Sequence, residues 1–134
     1  MSPEQLLGQL EGDGQVVVAD FEAGLGTLSR MEAGDVDVLL LVVEPTQKSI
    51  QVGLRALTVV AERKLGRTMV IANRVASEED RALVASAFAG QPLIVVPEDP
   101  GVRAADMNGR APMDTVPESP AVVALRQLAE SLIG

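Results

Sequence analysis

The sequence predicts an α/β domain. Residues 1–134 form a single unit, a partial doubly wound parallel sheet of about four strands with helices on both faces. Three observations predict it. Short apolar or β-forming runs recur at Val16–Ala19, Val36–Val43, Thr68–Ala72 and Leu93–Val96. Unbroken runs of this kind suit strands covered on both faces. Helical segments separate most of them, as parallel neighbours require crossovers. Each run ends in a polar group, and these ends share one edge of an open parallel sheet.

The elements follow in order. Ser2 caps a first helix, with Pro3 at its first position and Gln5 reaching back. Leu6, Leu7 and Leu10 give that helix a short apolar face, and Gly12 and Gly14 end it. Val16–Ala19 is the first strand. A long connection follows, with Gly24 and Gly26 making it pliable and Thr27–Met31 forming one helical turn. Val36–Val43 is the strongest strand. Thr46–Leu65 is the longest helix, with Ile50, Leu54, Leu57 and Ala61 at helical spacing and Gly66 closing it. Thr68–Ala72 is the third strand. Ser77 opens a helix with three acids at the positive end of its dipole. Its inner face is Leu83, Val84, Ala87 and Phe88, and Gly90 stops it. Leu93–Val96 is the fourth strand. A short helix over Pro100–Met107, a loop from Asn108 to Glu118 and a last helix from Ser119-Pro120 to about Ile133 complete the chain. The apolar stripe of the last helix is Val122, Leu125, Leu128, Ala129 and Leu132.

Composition narrows the chemistry. A chain of 134 residues with 47% apolar and 22% charged side chains holds its own core. There is no His, Cys, Trp or Tyr. That excludes a Cys nucleophile, a Ser-His-Asp triad, a thiolate or imidazole metal site and a disulfide framework. The net charge of −8 and two aromatic residues, Phe21 and Phe88, argue against nucleic acid as a partner. The longest apolar run, Val38–Val43, is too short to cross a bilayer. The last helix carries one cation, Arg126, so it packs on the core rather than on a membrane. Zero cysteine fits the cytoplasm, the expected location.

The candidate site lies at the strand ends: Asp20-Phe21-Glu22, Glu44-Pro45-Thr46, Asn73-Arg74 and Pro97-Glu98-Asp99. Any strand must exit into polar loop, but two features go further. Asn73 follows five apolar or β-forming residues with no turn signal. Asp20 follows four apolar residues, the strand-plus-Asp pattern that holds a Mg²⁺ shell in P-loop nucleotidases. Gly24-Leu25-Gly26 suits either a phosphate cradle or a flexible loop. Asp20 and Glu22 read as an acid/base pair or as solvated carboxylates, and Arg30 as a phosphate contact or a surface residue. A receiver-like domain needs an Asp after its third strand and a Lys after its fifth; neither Glu44 nor Asn73 supplies the first, and Lys48 and Lys64 lie in the central helix.

The order of these pieces resembles the MinD-like deviant-Walker (SIMIBI) ATPases. Val16-Val-Val-Ala-Asp20-Phe-Glu-Ala-Gly24-Leu is similar to their switch-II strand and loop. The Glu-Ala-Gly form and the later Ser29-Arg30 most resemble the CooC branch, which helps insert nickel into carbon monoxide dehydrogenase. Val38-Leu-Leu-Leu-Val-Val-Glu44-Pro45-Thr46-Gln-Lys-Ser49 resembles the next strand and helix start. Val70-Ile-Ala-Asn73-Arg74-Val75 resembles the base-recognition strand. Val95-Val96-Pro97-Glu98-Asp99, with the later Gly109-Arg-Ala-Pro112, resembles the segment after the last of these strands. The resemblance implies that Asp20 holds the water shell of Mg²⁺ and that Gly24 meets the γ-phosphate. It implies that Asn73, Pro97, Glu98 and Asp99 border adenine, with ATP or ADP and Mg as the cofactor.

One departure is large. No G-x-x-x-x-G-K-[ST] string occurs in these residues. The resemblance therefore implies the second half of a MinD/CooC-like ATPase domain, and hydrolysis by this chain alone is not expected. The expected role is a non-catalytic regulatory or interaction module with at most residual nucleotide binding. The alternative is one half of a split ATPase, active when another chain supplies the P-loop. The family's P-loop strand lies between the strand ending at Asp20 and the one ending at Glu44. Those two strands then pair directly, or another chain fills the gap. The expected partner is a second copy or a P-loop-bearing chain.

Overall fold

The computed structural model describes residues 16–21 and 25–133. Within them lie α1 (Leu25–Arg30), β1 (Val38–Val43), α2 (Gln47–Arg63), β2 (Arg67–Val75), α3 (Glu78–Ala87), β3 (Leu93–Pro97), α4 (Pro100–Met107), α5 (Pro112–Thr115) and α6 (Pro120–Ile133). The expected α/β class stands. The strands form one parallel sheet in the order β1-β2-β3. The helix expected at Ser2 lies outside the described residues, as do Glu22 and Gly24.

The strand count is corrected from about four to three among the described residues. Val16–Ala19 is not in the sheet. Val16, Val17 and Val18 are exposed, at 69%, 44% and 86%. An apolar run becomes a strand only where a neighbour takes its backbone hydrogen bonds and a layer covers its side chains. Among the described residues neither is present here.

Period-2 alternation sorts each strand between two layers. On one face Val43, Val70, Ala72 and Val75 pack with Ile50 of α2 and with Val84 and Phe88, at the end of α3. The same layer continues into a cluster of Leu28 and Met31 with Ala56, Val60 and Leu65, joined by Phe21, Leu39 and Leu41. Arg63, at the end of α2, ties that helix to the segment after α1, donating from Nε and Nη2 to the Met31 carbonyl at 3.0 and 2.6 Å. On the other face Ile71 and Val96 meet Ala121 and Leu128 of α6, with Val102 of α4 alongside. Among the described residues this second layer stops short of β1. Leu40 and Val42 pair in register with Met69 and Ile71, yet they are 36% and 58% exposed.

Local chemistry sets the helix ends. The Thr46 side chain accepts from Ser49 N at 3.2 Å, and Ser77 accepts from Asp80 N at 3.1 Å, each satisfying an otherwise free N-terminal donor. The central helix ends two residues before the expected boundary. Lys64 takes the left-handed conformation at φ 53° and donates to Ala61 and Val60, and Gly66 follows at φ 148°. A Cβ on Gly66 would lie 3.0 Å from the Val36 carbonyl oxygen. The loop expected from Asn108 to Glu118 contains the single turn α5.

Candidate functional site

The C-terminal edge of the sheet is built around an irregularity in β2. Ala72 pairs with Val95 and Val75 pairs with Pro97, so Asn73 and Arg74 together oppose the single residue Val96. Such a bulge re-aims side chains, and bulges concentrate next to functional sites. Arg74 adopts φ 60°, one of two non-glycine residues in the left-handed region among those described. Ala72 and Val75 stay buried on either side. Asn73 is half-buried, and its carboxamide has no hydrogen-bond partner among the described residues.

Arg74 reaches across all three strand ends. Its Nε lies 3.0 Å from Glu98 Oε2, after β3, and its Nη1 lies 3.5 Å from Glu44 Oε1, after β1. The hydrogen bond to Glu98, then the charges of Glu98 and Glu44, raise the guanidinium pKa still further. The loops hold both acids in place. Glu44 N donates to Ser49 Oγ in the first turn of α2 at 2.9 Å, and Glu98 N donates to the Val75 carbonyl at 2.9 Å. All three side chains are solvent-exposed, so these pairs fix geometry more than they add stability.

Asp99 is turned the other way. It is 8% exposed, and its carboxylate accepts from Gly101 N and Ala121 N, each at 2.9 Å, and from Ser119 Oγ. These bonds, led by the one from Ser119, hold its pKa below the ordinary carboxylate range. Asp99 thus caps α4 and pins the start of α6 to it.

Of the residues expected to form a site, Asn73, Pro97 and Glu98 come together at this edge. Pro97 stands in register with Val75. Asp20 is exposed, next to Phe21. Phe21 packs into the cluster around the C-terminal half of α2, whereas the edge adjoins the N-terminus of that helix. Gly24 lies outside the described residues. Glu44 and Arg74 are the members of the edge that spacing did not single out as a unit. An acid, an Asn-Arg pair and an acid at three successive strand ends was the available signal. A cleft of about 510 Å³ lies elsewhere, between α4 and α5, lined among others by Gly101, Asn108, Arg110 and Thr115. No helix among the described residues is long and apolar enough to cross a membrane.

The chain is similar to two uncharacterized ATP-binding proteins of Methanocaldococcus jannaschii. It is 32% identical to one over 136 aligned positions, covering 98% of this chain and 51% of that protein. It is 33% identical to the other over 69 residues, covering 52% of this chain and 27% of that protein. The chain therefore spans about half the length of the first relative and about a quarter of the second. No protein-family model matches.

Proposed function

We propose that this chain is an interaction module of MinD/CooC-like ATPase type that retains the base-binding edge of an adenine-nucleotide site and does not hydrolyse ATP alone. One observation carries the reading. The Asn73 carboxamide is half-buried and without a hydrogen-bond partner among the described residues, at a bulge on the C-terminal edge of a parallel sheet. A carboxamide offers a donor and an acceptor side by side, the pair that reads adenine at N6 and N7. The similarity to proteins called ATP-binding supports it.

The fit is one-sided. The edge suits a base, with Pro97 and Glu98 beside Asn73. It does not suit a triphosphate, because its cation, Arg74, is engaged by two carboxylates. Mg²⁺ and phosphate chemistry is therefore assigned to groups outside this edge. Titration of the melting temperature with Mg-ATP, ADP and GTP tests the reading. A ligand at 100 times its Kd adds about 2.7 kcal/mol. We expect stabilisation by ATP and ADP that is lost in Asn73→Ala. No shift at millimolar nucleotide would sink base binding by the isolated chain.

A second reading is favoured by the open flank of β1. Six consecutive apolar residues form this strand, yet among the described residues it is a sheet edge, and Leu40 and Val42 are exposed. In this reading a P-loop-bearing chain supplies the adjoining strand and helix, and the two together make a working ATPase.

A further inference from the structure

We infer that Arg74 is a positioning residue for Asn73: clamped between Glu44 and Glu98 in a left-handed bulge, it holds the carboxamide in the orientation that distinguishes one base from another. The inference rests on the reading of Asn73 as a base reader, but its physical content is separate.

Three observations meet at this residue. The bulge places two residues of β2 opposite one of β3, so the pleat alone does not dictate where Asn73 points. The left-handed backbone at Arg74, φ 60°, is disfavoured for a residue with a Cβ, and persists where surrounding contacts over-determine it. Two ion pairs, at 3.0 and 3.5 Å, join the Arg74 side chain to the ends of β3 and β1. The planar fork of arginine spans two carboxylates at once, whereas a lysine ammonium is a point charge on a flexible stem. The backbone of each acid is held by its own N–H, which donates to Ser49 Oγ from Glu44 and to the Val75 carbonyl from Glu98. The clamp is therefore anchored on both sides. Its charge is neutralised at the edge, so it orients its neighbour rather than attracting an anion.

The test uses the full chain, wild type, Arg74→Ala, Arg74→Lys and the double variant Glu44→Gln with Glu98→Gln. The first readout needs no ligand. The Asn73 side-chain amide, assigned in ¹⁵N-labelled protein by its disappearance in Asn73→Ala, is expected to give one narrow pair of signals in the wild type. It should broaden or split in Arg74→Ala and in the double variant, and be partly restored in Arg74→Lys. Far-UV circular dichroism should stay unchanged. The second readout is the ratio of ATP to GTP affinity. We expect that preference to fall by about fivefold or more in Arg74→Ala, the low end of what a bidentate carboxamide–adenine contact discriminates. Unchanged amide signals in Arg74→Ala and in the double variant would overturn the inference. So would an unchanged ATP:GTP ratio in Arg74→Ala when Asn73→Ala abolishes it. If the wild type binds neither nucleotide, the base-reading proposal fails, and the amide signals alone decide whether Arg74 positions Asn73.

Discussion

Asp99 shows how one carboxylate can hold two helices. It accepts from backbone N–H groups at the start of α4 and α6 and from the Ser119 hydroxyl while almost fully buried. Its pKa is lowered in the fold, so its contribution is fully present above the ordinary aspartate value of about 3.9 and is lost as pH falls through the lower folded value. Asp99→Asn should therefore melt below the wild type at neutral pH, and the gap between them should narrow below about pH 4. Melting curves from pH 7 to pH 2 check this; a constant gap would show that the charge contributes nothing. Lys64 offers the opposite case, a residue the fold tolerates rather than uses. It sits at φ 53° after α2. A left-handed non-glycine residue costs about 1–2 kcal/mol, and glycine gives back about 0.5–1 kcal/mol through the unfolded chain. Lys64→Gly should thus stabilise the protein by about 0.5–1 kcal/mol, measured by urea denaturation.

At the scale of elements, the contact between α2 and the sheet depends on Gly53. A Cβ there would lie 2.7 Å from Val43 Cγ1 and 2.9 Å from Phe88 Cζ. Both neighbours are buried core residues, so neither yields freely. Gly53→Ala should destabilise by about 1–3 kcal/mol despite the better helix propensity of alanine; denaturant melts that matched the wild type would refute this close fit. The same contact explains a misplaced face. Spacing in the sequence pointed to Ile50, Leu54, Leu57 and Ala61. The helix instead buries Ile50, Gly53, Ala56 and Val60, leaving Leu57 partly covered, Leu54 38% exposed and Ala61 exposed. Hydrophobicity ranks Leu54 above Gly53, but a close helix-to-sheet approach selects the small residue. The last helix repeats the lesson: Ala121, Val122 and Leu128 are buried, while Leu125 and Leu132 are 49% and 37% exposed. In α3 and at its C-cap, Val84 and Phe88 are buried as expected, but Leu83 is 39% exposed. The helix starts at Thr46 and Ser77 were more legible, because both residues act through their own side chains on the next turn; Asp99, expected only as a neighbour of adenine, also caps a helix. Three strands were legible from unbroken apolar runs. The ladder that would make Val16–Ala19 a fourth depends on a neighbour, which a run of valines cannot reveal. At the site, Asn73 was legible as a polar residue ending an apolar strand without a turn. The bulge and the left-handed Arg74 were not, because they arise from pairing register.

For the whole molecule, the decisive feature is an asymmetry between its two flanks. Among the described residues, one layer of helices packs on β1, β2 and β3, while on the opposite face α6 packs on β2 and β3 and not on β1. Val38–Val43 has no charge, proline or bulge to blunt it, and an exposed apolar edge of that kind invites pairing with another chain. The second reading places a P-loop-bearing chain on this edge, with a second copy as the other outcome of the test. Val42→Lys separates the cases. Val42 is 58% exposed, so the substitution should change the stability of the isolated chain by no more than about 0.5 kcal/mol. It should, however, place a charge in the middle of any added layer. Sedimentation velocity over a wide concentration range gives the mass. A wild-type dimer that becomes monomeric in Val42→Lys assigns the edge to a second copy. A wild-type monomer that binds a P-loop-bearing chain, with binding lost in Val42→Lys, assigns it to that chain and supports the split-ATPase reading. Association of either kind that survives Val42→Lys would place the interface elsewhere.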